Sequence, residues 1–182
     1  MPAATIDACC MIDLLASGHA EAIMRALGYA WHIPVEVQSE VQYVRQPDSD
    51  DPARLVRVAA DLTPLIGGGV LTLCKPENQQ EADTFVQYAA EFRSDGEAMC
   101  LALAESRGWM IATDDRKAIR ISKQAGLVVI SCPEILKTWV DLTHPTKQTL
   151  VKALKDIELL AQFRPNPSMP AHQWWLDQLR TI

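Results

Sequence analysis

The chain has 182 residues, with 17 basic against 23 acidic side chains and a formal net charge of −6. At this length one domain with short appendages is the expectation, and 48% apolar residues suit a packed core rather than a disordered or fibrous chain. The charge excludes an extended basic coat, so any nucleic-acid contact has to come from a local patch. The N-terminal stretch has no basic region, and Asp7 and Asp13 interrupt its apolar run, which argues against a signal peptide. The longest uncharged run, 62–74, contains Pro64 and three glycines and is too short to span a bilayer. Cys9, Cys10, Cys74, Cys100 and Cys132 show no CxxC spacing, so neither a disulfide framework nor a zinc knuckle is indicated, and a reducing cytoplasm is expected.

Residues 3–7 read as a short buried strand ending in a carboxylate, followed by a helical stretch from Met11 to Ala16 closed by Ser17-Gly18. The apolar segment Trp31-His32-Ile33 meets Pro34, which opens a helix expected to carry Val35, Val37, Val41 and Val44, with Glu36 and Glu40 on one face. Residues 46–52 combine turn formers with like charges and read as a solvated loop; the Gly and terminal Glu of a calcium loop are missing. After a short helix, residues 70–74 read as a strand. Pro76 then opens a helix on which Ala82, Phe85, Val86 and Ala89 define one buried stripe.

From residue 94 the pattern sharpens. Ser94 is placed to cap a helix from Gly96 to Arg107, Glu97 has the spacing of a capping box, and Gly108 ends the helix. Residues 109–113 read as a buried strand with Asp114-Asp115 at its carboxyl end. A helix from Arg116 to Ala125, a strand at 127–130 and a helix from Pro133 to Leu142 follow. Helices alternating with short apolar strands predict a parallel α/β sheet. Leu150, Val151, Leu154, Ile157 and Leu160 form an amphipathic stripe. The Pro165–Pro170 segment breaks it, and a last helix carries Trp174 and Trp175, expected to dock on the core.

Asp7, Glu40, Glu97 and the pair Asp114-Asp115 stand out by placement. Strand ends and helix N-termini at one edge of a parallel sheet converge on a crevice, so these acids are expected to meet. Gathered carboxylates repel unless a hard cation neutralises them, and oxygen ligands suit Mg²⁺ or Mn²⁺. Such an ion activates water and stabilises charge on phosphate, so phosphodiester hydrolysis needs no protein nucleophile. It also inverts the local sign of an acidic protein.

Taken singly, these residues have plainer readings as well. Glu97 and Asp114-Asp115 also suit helix caps, Glu36 a solvated first-turn acid, Asp13 a cap or solvent-facing side chain, and Asp95 is a rival for the place of Glu97. Arg116, Arg120 and Lys123 fall at i, i+4 and i+7, a basic face able to position an RNA backbone or simply to meet solvent. The four histidines are scattered, there is no GxSxG elbow, and Gly67-Gly68-Gly69 lacks the Lys of a phosphate loop.

The arrangement resembles the PIN-domain family. TIDACCMIDLL (5–15) looks like its opening strand and acid, and IPVEVQSEV (33–41) like its second motif, with Glu40 six residues after Pro34. SDGEAMCLALAESRGWMIATDDRKAIRISKQAGLVVI (94–130) resembles the third and fourth motifs, closest to the branch with Gly-Glu and Thr-Asp-Asp signatures. The resemblance covers roughly residues 3–140 and implies a three-layer α/β/α fold with a short central parallel sheet over 1–142, and a C-terminal helical extension over 143–182 packed on it. It implies a Mg²⁺- or Mn²⁺-dependent endoribonuclease, often the toxin of a toxin–antitoxin pair of the VapC type, with RNA as substrate, an antitoxin as a possible partner and a homodimer as the assembly. A related module that binds protein or RNA without cutting is the alternative. Carried over by position, Asp7, Glu40, Glu97 and Asp115 are the catalytic acids, with Asp114 supporting the metal held by Asp7, Glu97 and Asp115. Two positions depart from the family's pattern: Cys9 stands where a small hydroxyl residue is usual, and Glu97 replaces the commoner Asp.

Overall fold

The computed structural model describes residues 1–180. Strand β1 (Ala3–Ile6) is almost wholly buried and passes through Asp7 into α1 (Ala8–Ala16), where the Asp7 carboxylate accepts the Cys10 N–H at 2.8 Å and caps the helix. Helix α2 (Ala20–Leu27) stops at Gly28, whose φ of 65° is left-handed. Strand β2 (Ala30–Pro34) leads into α3 (Val35–Glu40), which ends short of the expected Val44. Val44 lies instead in β3 (Tyr43–Pro47), paired antiparallel with β4 (Leu55–Ala59), because the β-forming residues on both strands find each other across the turn. The expected loop thus shifts to 48–54, at the tip of a hairpin.

Helix α4 (Thr63–Gly67) and strand β5 (Leu71–Cys74) precede α5 (Gln79–Ala89). That helix starts three residues after Pro76, since Asn78 supplies a better cap by accepting the Glu81 N–H at 3.0 Å. Its expected apolar stripe is only half realised. Val86 is 65% exposed while Glu81 is 4% exposed, because Glu81 turns inward to meet Arg107. Helix α6 (Asp95–Arg107), strand β6 (Met110–Ala112), helix α7 (Arg116–Gln124), strand β7 (Val129–Ile130) and helix α8 (Cys132–Thr143) follow as the periodicity predicts. Helix α9 (Lys147–Asp156) runs into a π turn at Ile157–Ala161, and α10 (His172–Arg180) ends the described chain.

The main sheet is parallel throughout, in the order β5-β2-β1-β6-β7. From β1 the chain steps to β2 and β5 on one side, then returns to β6 and β7 on the other. With right-handed crossovers, opposite steps put their helices on opposite faces, so α1 and α2 share a layer with α8, and α5 to α7 form the other. The step direction reverses between β1 and β6, and that reversal opens a crevice at their carboxyl ends. Asp7 and Asp114-Asp115 sit there by topology alone.

One apolar cluster, including Ile6, Leu14, Trp31, Leu101 and Ile111, fills both layers, and Leu150, Leu154, Ile157 and Trp175 from the C-terminal helices belong to it. Trp175 is fully buried with its indole N–H on Glu158 Oε1 at 3.0 Å, whereas Trp174 is half-buried. Among the described residues no helix is long and apolar enough to cross a membrane.

The inward ion pair ties α5 to the end of α6: Arg107 Nε and Nη2 reach Glu81 at 2.7 and 2.8 Å, and Nη2 also donates to the Lys75 carbonyl at 2.9 Å. Those hydrogen bonds hold the Glu81 carboxyl below its usual pKa. Arg107→Met strands this carboxylate in the interface and is expected to cost about 3 kcal/mol in urea unfolding at pH 7. Since a lowered pKa stabilises only above the unfolded value and fades as pH falls through the folded one, the deficit should shrink below pH 4.

Candidate active site

Asp7 is placed by the sheet and by α1 together. Its backbone N–H extends the β1–β6 ladder to the Ala112 carbonyl at 3.0 Å, and its Oδ1 caps α1. The residue is 1% exposed, and Oδ2 is buried without a partner. Burial raises its pKa from 3.8 to about 7. The Thr113 hydroxyl and the Cys10 N–H oppose the shift, while Asp114 and Glu97 add to it.

Glu97 reaches the same crevice from the first turn of α6. That helix is fixed against β1 by the Thr5 hydroxyl on the Cys100 carbonyl and the Cys100 thiol on the Ile6 carbonyl, at 3.4 and 3.6 Å. Cys100 lies three residues after Glu97, on the same side of the helix, so the acid is carried to the end of β1. The expected capping box is absent: Ser94 makes no cap bond, and Ser94 Oγ and Glu97 Oε2 are both buried without partners. Glu40 takes over that task from α3, its Oε1 accepting the Gly96 N–H at 3.0 Å. Glu97 is thereby left with its own backbone N–H in the first turn. Burial raises its pKa, that N–H opposes the shift, and neighbouring Glu40 and Asp115 raise it further.

Asp115 caps α7 through Oδ1 on the Ala118 N–H at 2.7 Å, so the plain reading holds for one of its two oxygens. Asp114 faces away. Its Oδ1 accepts the Cys132 N–H at 3.0 Å and its Oδ2 the Cys10 thiol at 3.3 Å, and burial lifts its pKa to about 6. Asp13, expected at a cap or in solvent, is 3% exposed; it lies beside Asp114 and Cys132, and burial pushes its pKa well up. Its helix face carries Cys10 and Leu14 into the core, and the acid is drawn in with them. Asp95, the rival for Glu97, is exposed.

The structure therefore couples Asp7 to Glu97, and Glu97 to Glu40 and Asp115, by charge, while Asp114, also felt by Asp7, hydrogen-bonds into a neighbouring cluster; among the described residues no three of Asp7, Glu40, Glu97 and Asp115 bring ligand atoms within 4.8 Å of one another. Asp7 Oδ2 and Glu97 Oε2 are buried carboxylate oxygens without hydrogen-bond partners, at the starts of α1 and α6, and their chemistry fits a hard cation with oxygen preference. Arg116, Arg120 and Lys123 are exposed and have no ion pair among the described residues. Arg116 and Lys123 line a recess of about 370 Å³ with Ser131, Glu134, Asn166 and Ser168. A further basic feature went unread in the sequence: Arg45 and Arg57 stand opposite each other on the hairpin, Arg57 over the Tyr43 ring at 4.2 Å. Two like charges directly paired across strands are a cost that nothing in either strand alone announces.

In open parallel α/β sheets ligands bind outside the carboxyl ends of the strands at the switch point, where these acids lie. The family model described as PIN domain matches residues 4–124, two thirds of the chain, and the chain belongs to the PIN-domain family. PIN domains are in general nucleases that bind divalent metals. No curated protein matches the chain, and no solved structure does.

The orphaned acid of β1 makes a stability prediction with a defined sign. A carboxyl whose folded pKa is raised from 3.8 to about 7 favours folding in its protonated form; that contribution is complete below pH 3.8 and is lost as pH rises through 7. In chelator at pH 8, Asp7→Asn is expected to be more stable than the parent by about 2 kcal/mol, the gap closing below pH 5, as read by thermal melts across pH. Gly96 gives a second test. A Cβ there would lie 2.6–2.8 Å from the Glu40 carboxylate, so Gly96→Ala must push Glu40 off the helix end. The expected loss is about 1–3 kcal/mol in denaturant unfolding, and adding Glu40→Ala should recover part of it.

Proposed function

We propose that the chain is a Mg²⁺- or Mn²⁺-dependent endoribonuclease that hydrolyses RNA phosphodiester bonds with water as nucleophile. The observation that carries this reading is the pair of buried, unpartnered carboxylate oxygens on Asp7 and Glu97 beside Glu40 and Asp115. Asp7, Glu97 and Asp115 would hold the cation, which when bound supplies Lewis acidity toward phosphate oxygens and lowers the pKa of water. Glu40 contributes negative charge while bracing α6, and Asp114 supports the set by fixing the 113–115 turn against Cys10 and Cys132. Arg116, Arg120 and Lys123, unpaired on α7, are the proposed contacts to the RNA backbone. They position the strand without reading its bases.

The resemblance to toxin members of the family extends the proposal to a protein antitoxin and a homodimer, and five free thiols suit the cytoplasm. Light scattering decides the dimer. Purified protein with Mn²⁺ is expected to cut single-stranded RNA, to stop in EDTA, and to lose at least about 100-fold in kcat on Asp7→Asn or Glu97→Gln. Arg116→Glu with Arg120→Glu should raise KM about tenfold and leave kcat nearly unchanged. Cleavage that survives both EDTA and Asp7→Asn overturns the mechanism, and RNA binding without cleavage in any metal turns the reading to a binding module.

A further inference from the structure

Behind the crevice lies a second set of donor atoms with a different chemistry. One donor atom each from Asp13, Asp114 and Cys132 gathers within 4.8 Å of the others. The Cys10 thiol, 3.3 Å from Asp114 Oδ2, lies at the edge of this cluster. Three separate elements meet there: α1 gives Cys10 and Asp13, the turn after β6 gives Asp114, and the start of α8 gives Cys132. Cys10 and Cys132 are fully buried, Asp13 nearly so, and Asp114 forms the partly open rim.

The cluster is poorly satisfied as it stands. Thiols are weak donors, and Asp13 Oδ2 is buried with no hydrogen-bond partner. Two carboxylates packed against two thiols in a core are kept from ionising by burial, Asp13 above all, and a cation that displaces their protons is the other way to satisfy them. Magnesium is a poor candidate, because it keeps its waters and prefers oxygen. Sulfur together with carboxylate oxygen, close enough for one small ion, is the donor set of a thiophilic, tetrahedral cation such as Zn²⁺.

We infer that Asp13, Asp114 and Cys132, with Cys10 within reach, form a binding site for a thiophilic divalent cation of the Zn²⁺ type, separate from the front acids. On binding, the Cys132 thiol and the Asp13 carboxyl, which burial holds protonated, release their protons to solvent, and the thiolate and both carboxylates become ligands, so three charges of −1 face one of +2. The ion would tie α1, the 113–115 turn and α8 together. It therefore stabilises the fold and fixes the turn that presents Asp115. None of this depends on the nuclease reading.

The test is a Co²⁺ titration of the reduced, chelator-stripped full chain, followed by absorbance. The expected result is a thiolate-to-cobalt charge-transfer band with tetrahedral visible bands, saturating at one equivalent. Cys132→Ser should abolish the band, and Asp13→Asn should weaken binding at least about tenfold. Glu97→Gln, in the front crevice, should leave it in place. Zn²⁺ near 100 times its Kd should raise the melting temperature by about 5 °C or more in the parent and not in Asp13→Asn. If Cys132→Ser does not fold, Asp13→Asn and Cys10→Ser carry the spectral comparison. A titration without a thiolate band, a band that survives both Cys132→Ser and Asp13→Asn, or one that disappears with Cys9→Ser overturns the inference.

Discussion

A carboxylate desolvated at the reversal point of a parallel sheet is the constraint around which this molecule is arranged. Asp7 holds its place because the backbone on either side of it is committed twice, to the β6 ladder and to the first turn of α1. Only one of its oxygens is satisfied by that commitment. The helix that covers it, α6, is buried over most of its length and carries its one cation, Arg107, at the far end; at the near end it brings Glu97. Acid is thus packed against acid in a region from which water is largely excluded, and repulsion is the energetic fact that the surroundings have to manage. They manage it with helix N-termini at α1, α6 and α7 and with Thr113, each a partial positive charge or a donor, none a full counter-ion.

The alternation of strands and helices was legible in the chain, because short apolar segments bounded by Gly, Ser and Asp leave few other readings. The positions of Asp7 and Asp115 at strand ends were legible for the same reason. What the sequence concealed was decided by partners far away along the chain. Ser94 and Glu97 have the spacing of a capping box, yet Glu40, more than fifty residues earlier, takes the helix end. Val86 has the period of a core residue, yet Arg107 draws Glu81 inward and turns the helix. Tyr43 and Val44 continue a helical pattern from α3 until β4 arrives to pair with them. Local propensity is a weak prior in each case, and one well-placed tertiary bond outweighs it.

The same logic explains why Asp13 was misread. On α1 alone, a polar residue two turns from the N-cap suits solvent. Its burial follows from Cys10 and Leu14 on neighbouring positions of the helix and from Asp114 and Cys132 arriving from the ends of β6 and β7. Cysteine spacing gave no warning either, because metal motifs are recognised by ligands close in sequence and these lie on three elements. Spatial convergence has no signature in a single chain.

The turn at 113–115 shows how few residues separate the two kinds of chemistry. Thr113 faces Asp7, Asp114 turns back to Cys10 and Cys132, and Asp115 caps α7 beside Glu97. Consecutive side chains therefore serve three surroundings, and moving the backbone of this turn moves all of them. Helix α7 starts at the same turn and carries Arg116 and Arg120 on its exposed side, so two positive charges are referenced to the same backbone as the acids. In a chain of net charge −6, a polyanion can approach only where that local sign is reversed.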